Sequence, residues 1–170
     1  METKADVSHT MPHHSRKHYL ALLVRKLPFT VAIAQALFRR TRPRFSVGAV
    51  GVVFNDANQV LLVEHVFHPY SPWGLPGGWV ERGENPRDAV VRELREELEL
   101  EVEVGSVVSA ELGFAQHLDL AFLCRPLNEV GRLCNELVGY RWTPLDEIPK
   151  LHRFHGLAVA QAIAIRGLRV

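Results

Sequence analysis

The sequence predicts a domain of the α/β class that follows a short basic leader. Three observations support this prediction. A valine-rich run at residues 45–54 is typical of a buried strand. Residues 84–100 carry the capping residues and the apolar periodicity of an amphipathic helix. Strand-like segments then follow as far as residue 142, and an alanine-rich helical pattern closes the chain. The length of 170 residues is sufficient for one domain with its own core.

The leader, residues 1–44, differs from the rest of the chain in charge. Residues 1–46 have a net charge of +7, whereas the remaining 124 residues sum to −6. The apolar part of the leader is interrupted by Arg25, Lys26 and Pro28, so neither piece is long enough to span a membrane. We expect two short helices that bend at Pro28. They would pack together, form a homodimer, or rest peripherally on an anionic membrane.

Two further features bear on partners and compartment. Aromatic residues are not interleaved with the leader arginines, as a stacking surface for bases requires, so we expect no specific nucleic-acid binding. Cys124 and Cys134 match neither a disulfide framework nor a zinc site. The sequence therefore predicts reduced thiols in a cytoplasmic protein.

The elements of the predicted domain, residues 45–170, follow one another at short intervals. The valine-rich run, the turn residues NDAN and the run QVLLVEHV together predict a hairpin over residues 46–66. A Pro- and Gly-rich loop comes next. After the helix at residues 84–100, the runs EVEVGSVV, HLDLAFLCR and ELVGYRW predict three more strands, and RFHGLAVAQAIAIRGL predicts the closing helix.

The helix at residues 84–100 has an apolar side and an acidic side. Asn85 can cap its N-terminus, and Pro86 suits the first turn. At about 100° per residue, the apolar stripe faces the core, and the acids fall on a separate face. The apolar stripe consists of Val90, Val91, Leu94 and Leu98, and the acidic face of Glu93, Glu96 and Glu97.

The crowded acidic face favours a metal site over a solvated helix surface, which is the alternative interpretation. Its glutamates are clustered and do not alternate with lysine, although like charges at this spacing repel each other. The preceding LPGG loop permits close backbone approach, and Glu84 adds another carboxylate. Clustered carboxylates are typical ligands of hard divalent cations. The pattern predicts metal-assisted attack of water on a phosphate ester or anhydride.

The same stretch resembles the Nudix box, a motif of 23 residues that identifies a family of hydrolases. Eight of its nine defined positions match, and Glu99 stands where the family has glycine. We expect a local adjustment at Glu99, where a left-handed backbone is wanted, at a cost of about 1 kcal/mol. The resemblance extends over about residues 45–150. The matching residues are Gly78, Glu84, Arg92, Glu93, Leu94, Glu96, Glu97 and Leu100.

The resemblance implies a fold and a set of roles. The fold is the Nudix α/β/α sandwich, a mixed β-sheet between helices. Glu93, Glu96 and Glu97, with the Gly78 carbonyl, would bind Mg²⁺ or Mn²⁺, and Arg92 and Glu84 would orient those carboxylates. The catalytic group that activates water would be a glutamate of the box or Glu136 from a later loop. A surface role for Glu136 is the alternative.

The substrate is left open at this stage. Gln116 stands where ADP-ribose hydrolases of the family often have proline, and the tyrosine of dinucleoside polyphosphate hydrolases is absent. Trp73, Trp79 and Phe54 are candidates for base stacking or for core packing, so no substrate-binding residue is assigned. We expect cleavage of a pyrophosphate bond in a nucleoside diphosphate linked to another moiety, of the ADP-ribose or nucleotide-sugar type, or in a (d)NTP. The alternatives are a catalytically silent nucleotide sensor and an adaptor organised around the leader.

Overall fold

In a computed structural model of the chain, residues 28–66 and 72–168 are described, and they divide between two compact units, residues 1–43 and 44–170. In the first unit, α1 spans Pro28–Arg40 and begins with the proline that suits a first helical turn. Two arginines in its last turn complement the negative end of the helix dipole. The other predicted leader helix lies outside the described residues. No helix in the described ranges is long and apolar enough to cross a membrane.

Within residues 44–66 and 72–168, the second unit contains seven strands and two α-helices. The helices are α2, Pro86–Leu98, and α3, Arg153–Arg166. Short 3-10 turns lie at Phe114–Gln116 and Leu145–Glu147. The strands are β1 Ser46–Val53, β2 Val60–His65, β3 Trp73–Gly74, β4 Gly77–Trp79, β5 Val102–Leu112, β6 His117–Pro126 and β7 Leu137–Thr143.

The strands form two sheets, so the prediction of a hairpin over residues 46–66 is wrong. The four-stranded sheet has the order β4-β1-β6-β5, and it is mixed because β1 and β6 run parallel while the other pairs are antiparallel. The three-stranded sheet has the order β3-β2-β7 and is antiparallel. Only a single bridge, Phe54 to Val60, joins β1 to β2. Both edges of β1 are already taken by β4 and β6, so β2 pairs elsewhere.

Helices cover both faces of the central strands. On one face α2 packs through Val90, Leu94 and Leu98 against side chains such as Ala49 and Val53 of β1. On the other face α3 packs against the alternate residues of the same strand. Because successive residues of a strand point to opposite faces, a strand covered on both sides is apolar at every position. The predicted α/β/α sandwich with a mixed sheet is confirmed.

Local signals define both ends of α2. The Asn85 side chain caps the N-terminus by accepting a hydrogen bond from the Arg87 amide at 3.0 Å, and Pro86 occupies the first turn. The helix ends at Leu98, and Glu99 adopts the left-handed conformation with φ 49° and ψ 32°. The amides of Glu99 and Leu100 donate back to carbonyls in the last turn. Glu99 thus takes up the backbone conformation that the motif glycine ordinarily supplies.

Candidate active site

The acidic face of α2 lies against strand β4, where two glycines allow close approach. Gly77 has φ +139°, and a Cβ atom added there would lie 2.3 Å from the Ala49 carbonyl oxygen of β1. A Cβ atom at Gly78 would lie 2.5 Å from Glu93 Oε1. At position 77 only glycine fits, because a Cβ would meet the backbone of β1, whereas at position 78 a Cβ would require the Glu93 side chain to move. The two glycines let the β4 backbone approach Glu93 and Glu97 closely.

Glu97 is the most enclosed acid of the group. Its side chain is only 8% exposed, and its Oε2 accepts a hydrogen bond from the Gly77 amide at 3.0 Å. Burial, which is the largest cause, and the negative charges of Glu93, Glu136 and Glu96 together raise the pKa of the Glu97 carboxyl to about 8, against the lowering effect of the Gly77 amide. A positive charge nearby would therefore strongly stabilise the ionised form of Glu97.

Arg92 joins the helix to the loop before it. Its guanidinium donates two hydrogen bonds to Glu84, from Nε to Oε1 at 2.9 Å and from Nη2 to Oε2 at 3.0 Å. The same group donates to Glu93 Oε1 at 2.8 Å and to the Trp79 carbonyl at 3.0 Å. The bond from Arg92 holds the pKa of Glu84 below its ordinary value, and the bond to Glu84 raises the pKa of Arg92. The predicted pairing of Arg92 with Glu84 is present in the structure, as a two-pronged contact.

The remaining predicted residues border this group on its open side. Glu96 is largely exposed and lies 3.4 Å from Arg92 Nη1. Glu136 is exposed in the turn immediately before β7, and its negative charge helps to raise the pKa of Glu97. The structure therefore brings Glu93, Glu96 and Glu97 together on one helix face and adds Glu136 from a distant segment.

The residue types at this site suit a hard divalent cation. Within residues 28–66 and 72–168, no three His, Cys, Asp or Glu side chains stand close enough together, as they are placed, to hold a metal ion. The acids nevertheless present oxygen donors from one helix, and Arg92 contacts Glu93 and Glu96. Gly78 lets the Glu93 carboxylate lie against β4, because a Cβ atom there would collide with it. Carboxylate and carbonyl oxygens of this kind are the ligands that Mg²⁺ prefers.

A cavity of about 360 Å³ has Gly77 and Gly78 of β4 in its lining, and the sequence had not identified most of the other residues around it. Trp79 is 63% exposed, and the centroid of its ring lies 4.5 Å from that of His117. His117 lies 2.8 Å from Ser46 Oγ through Nδ1 and 3.1 Å from Asp119 Oδ1 through Nε2. Across the cavity, the Leu75 amide donates to Nδ1 of His155.

One signal for this lining was present in the sequence. In HLDL, His117 and Asp119 alternate with leucine, which places both polar side chains on the same face of β6. His155 carried no such signal, because it reaches the cavity from α3, far along the chain. Trp79 borders this cavity, in agreement with base stacking as one of its two interpretations, whereas Phe54 is buried in the core.

The chain is similar to several known proteins. The family profile described as NUDIX domain matches residues 44–162. A MutT-like protein of Streptomyces ambofaciens is 31% identical over 62% of this chain and 68% of its own length. The protein named putative 8-oxo-dGTP diphosphatase of Bacillus subtilis is 38% identical over 42% of this chain. The match spans less than half of that relative, 44% of its length. The crystal structure of an ADP-ribose pyrophosphatase from Streptococcus suis superposes with a TM-score of 0.60 at 26% identity, over 71% of this chain and 91% of that one.

The profile match covers most of the chain and includes every residue of the acidic helix. The fold, the paired Arg92 and Glu84, and the glutamates against β4 agree with it. This chain belongs to the Nudix family of hydrolases.

Proposed function

We propose that the chain is a divalent-metal-dependent hydrolase that cleaves a pyrophosphate bond in a nucleotide derivative. The observation that carries this proposal is the buried Glu97 carboxyl, which lies among other carboxylates and receives the Gly77 amide. In a purely structural role, this burial would only destabilise the fold. Beside a bound cation the same crowding becomes favourable.

Each residue of the site has a role in this proposal. The carboxylates of Glu93, Glu96 and Glu97, with the Gly78 carbonyl, hold Mg²⁺ or Mn²⁺. Such an ion, when bound, polarises the phosphate oxygens and lowers the pKa of a bound water. Arg92, held by Glu84 and the Trp79 carbonyl, fixes the orientation of Glu93. Its rigid attachment keeps the ligands in place when the substrate departs.

Glu136 is our candidate for the group that accepts the proton of the attacking water. It stands exposed at the open side of the site, and its charge acts on Glu97. A general base must lie within reach of the water it deprotonates, and an exposed carboxylate can exchange that proton with solvent afterwards. Glu96 and Glu97 are the alternative bases. Comparison of Glu136→Gln with Glu96→Gln distinguishes Glu136 from Glu96 as the base. Loss of the group that acts as the base removes the limb of the pH–rate profile that reports its ionisation.

The cavity beside β4 supports a nucleotide as the substrate. Trp79 offers an exposed aromatic face, and His117 with Asp119 offers polar groups beside it. A nucleobase can stack on such a face while its diphosphate extends toward the carboxylates. One relative is named for 8-oxo-dGTP and one structural neighbour for ADP-ribose. We therefore propose a nucleoside diphosphate linked to another moiety, or a nucleoside triphosphate.

An activity screen tests this function. Purified chain is incubated with ADP-ribose, nucleotide sugars, dinucleotides and (d)NTPs, with Mg²⁺ or with excess chelator, and the products are separated by ion-exchange chromatography. We expect release of a nucleoside monophosphate or of pyrophosphate that depends on the metal. Tight binding of a nucleotide with no turnover would instead support a silent sensor. Turnover that persists in chelator would refute the metal-dependent mechanism.

We also infer that the leader forms a homodimer. Four large apolar side chains among the described residues of α1 are exposed, and three of them recur at intervals of four residues along one helix face. Such a stripe is stabilised by packing against an equivalent helix. Multi-angle light scattering of the full chain tests this, and flotation with anionic vesicles tests the competing membrane contact. The exposed residues are Phe29, Ile33, Leu37 and Phe38.

The two thiols favour a reducing compartment, and we propose the cytoplasm. Both cysteines are free, and burial raises the pKa of Cys124 to about 12. A thiol in that state is a poor nucleophile and packs as a small apolar side chain. Cell fractionation followed by detection of the chain tests this location.

A further inference from the structure

We propose that Glu99, the residue that replaces the motif glycine, is a positioning residue that anchors the loop of residues 127–136 and thereby holds Glu136 beside the active site. This inference rests on the proposed function, because it assigns Glu99 a part in the same reaction. Glu99 itself lies at the end of α2, outside the group of carboxylates that face β4.

The first observation is that Glu99 contacts the loop through its backbone and its side chain. Its carbonyl oxygen accepts a hydrogen bond from Asn128 Nδ2 at 3.0 Å. Its carboxylate accepts one from the Arg132 amide at 3.3 Å and lies 3.4 Å from the Arg132 guanidinium. Left-handed residues turn their side chain away from the helix axis, so the conformation of Glu99 directs its carboxylate toward the loop.

The second observation is a close fit between Glu99 and Gly131. A Cβ atom added to Gly131 would lie 2.8 Å from Glu99 Cβ and 2.7 Å from Glu99 Oε2. The side chain at position 99 therefore occupies the space that a side chain at position 131 would need.

The third observation is that the anchored loop leads directly to Glu136. The Gly131 amide donates to the Leu98 carbonyl at 2.8 Å, and the Cys134 amide donates to the Glu97 carbonyl at 3.0 Å. At its far end, the Glu136 carbonyl accepts from the Val66 amide at 3.0 Å. The loop is thus attached to both α2 and the end of β2, and the Glu136 charge reaches Glu97.

These contacts predict that replacement of Glu99 by glycine lowers turnover without lowering the stability of the fold. Glycine at position 99 would relieve the unfavourable left-handed backbone of Glu99. It would also remove the contacts of the Glu99 carboxylate with Arg132, leaving the backbone bonds and those of the Asn128 side chain. The family glycine should therefore leave the fold as stable as before while it makes the position of Glu136 less precise. A merely structural residue would lower both quantities together.

The experiment compares Glu99→Gly, Glu99→Gln, Gly131→Ala and the double variant Glu99→Gly with Gly131→Ala. Steady-state kinetics are measured with Mg²⁺ on the substrate that the screen identifies. Thermal midpoints and amide hydrogen exchange in residues 127–136 are measured on the same samples. Glu129→Gln, an exposed glutamate of the same loop, is the matched control.

We expect Glu99→Gly to lower kcat by about tenfold with less than about a twofold change in KM, because a misplaced group acts on the chemical step. Its thermal midpoint should not fall, and exchange in the loop should become faster. Glu99→Gln keeps an acceptor for the Arg132 amide and should restore most of kcat. Gly131→Ala should lower kcat in the wild-type background and have little further effect beside Glu99→Gly, since the two positions share one contact.

Three outcomes would overturn the inference. One is wild-type kcat and unchanged loop exchange in Glu99→Gly. Another is a fall in kcat that follows a fall in the thermal midpoint, and the third is additive effects of Glu99→Gly and Gly131→Ala. Failure of the proposed function is recognised separately, as absence of turnover by the wild-type chain on every compound. Loop exchange and the thermal midpoints do not depend on turnover, so they still decide whether Glu99 anchors the loop.

Discussion

Replacement of Glu97 by glutamine is expected to stabilise the metal-free protein while it abolishes turnover. The substitution keeps the size of the side chain and its acceptor for the Gly77 amide, but it removes the charge. At about 1.36 kcal/mol per unit, a pKa raised from 4.5 to about 8 corresponds to a penalty on the order of a few kcal/mol for the ionised carboxyl in the folded state. This penalty is absent from the glutamine variant.

The sign of the pH dependence follows from proton linkage. Between pH 4.5 and about 8, the folded protein retains the Glu97 proton while the unfolded chain has lost it. The contribution of Glu97 to the free energy of unfolding therefore falls as pH rises through this window and is fully lost above it. Wild type and Glu97→Gln should be equally stable near pH 4, and the variant should be increasingly the more stable of the two up to about pH 9.

Urea denaturation at a series of pH values without metal measures this difference. Glu103→Gln, an exposed glutamate paired with Arg125 on the surface, is the control and should show little such trend. In turnover, Glu97→Gln should lose about 4 kcal/mol of transition-state stabilisation, roughly a thousandfold in rate. Parallel stability curves for wild type and Glu97→Gln, or an equal loss of turnover in the Glu103 control, would refute the assignment.

Three further predictions address other parts of the site. Gly78→Ala should lower turnover by about a hundredfold with an unchanged circular dichroism spectrum, because its Cβ would collide with Glu93 Oε1 and displace a ligand; wild-type turnover would mean that Glu93 is not held by β4. Trp79→Ala should raise KM by about tenfold with a smaller effect on kcat, if the exposed ring stacks on the base; an unchanged KM would contradict stacking. Removal of residues 1–40 should leave a folded domain that still turns over its substrate but elutes as a smaller species in size-exclusion chromatography. An unfolded or inactive product would show that the leader belongs to the core.

Local signals made the acidic helix predictable. The cap at Asn85, the proline after it and the apolar stripe all lie within one short segment. Each of them is present in the structure at the position that the sequence predicts. The pairing of β1 and β2 could not be predicted in the same way. Two apolar runs separated by turn residues are compatible with a hairpin, and only the distant strands β4 and β6 decide that β1 has no free edge.

The same distinction applies to the site. The glutamates of α2 were identified because the motif is contiguous, whereas the burial of Glu97 against Gly77 is a tertiary contact that the motif does not specify. The wall formed by His117, Asp119 and His155 was missed, because its members come from separate segments and each has an ordinary sequence context. The contact between Glu99 and Gly131 likewise depends on a tertiary approach across 32 positions of the chain.

The cavity beside β4 lies where the two sheets meet, and this placement has a consequence for how the protein could change. One wall comes from β1, β4 and β6 of the four-stranded sheet, and the other comes from β3 and the beginning of α3. The acids of the proposed site are absent from the lining, since all but one lie on α2 and the loop before it. Under the proposed function, substitutions in the walls other than β4 would alter which molecule is held while those acids stay in place. A single substitution in these walls, for example at His155, could therefore change the substrate specificity while every acid of the proposed site is kept.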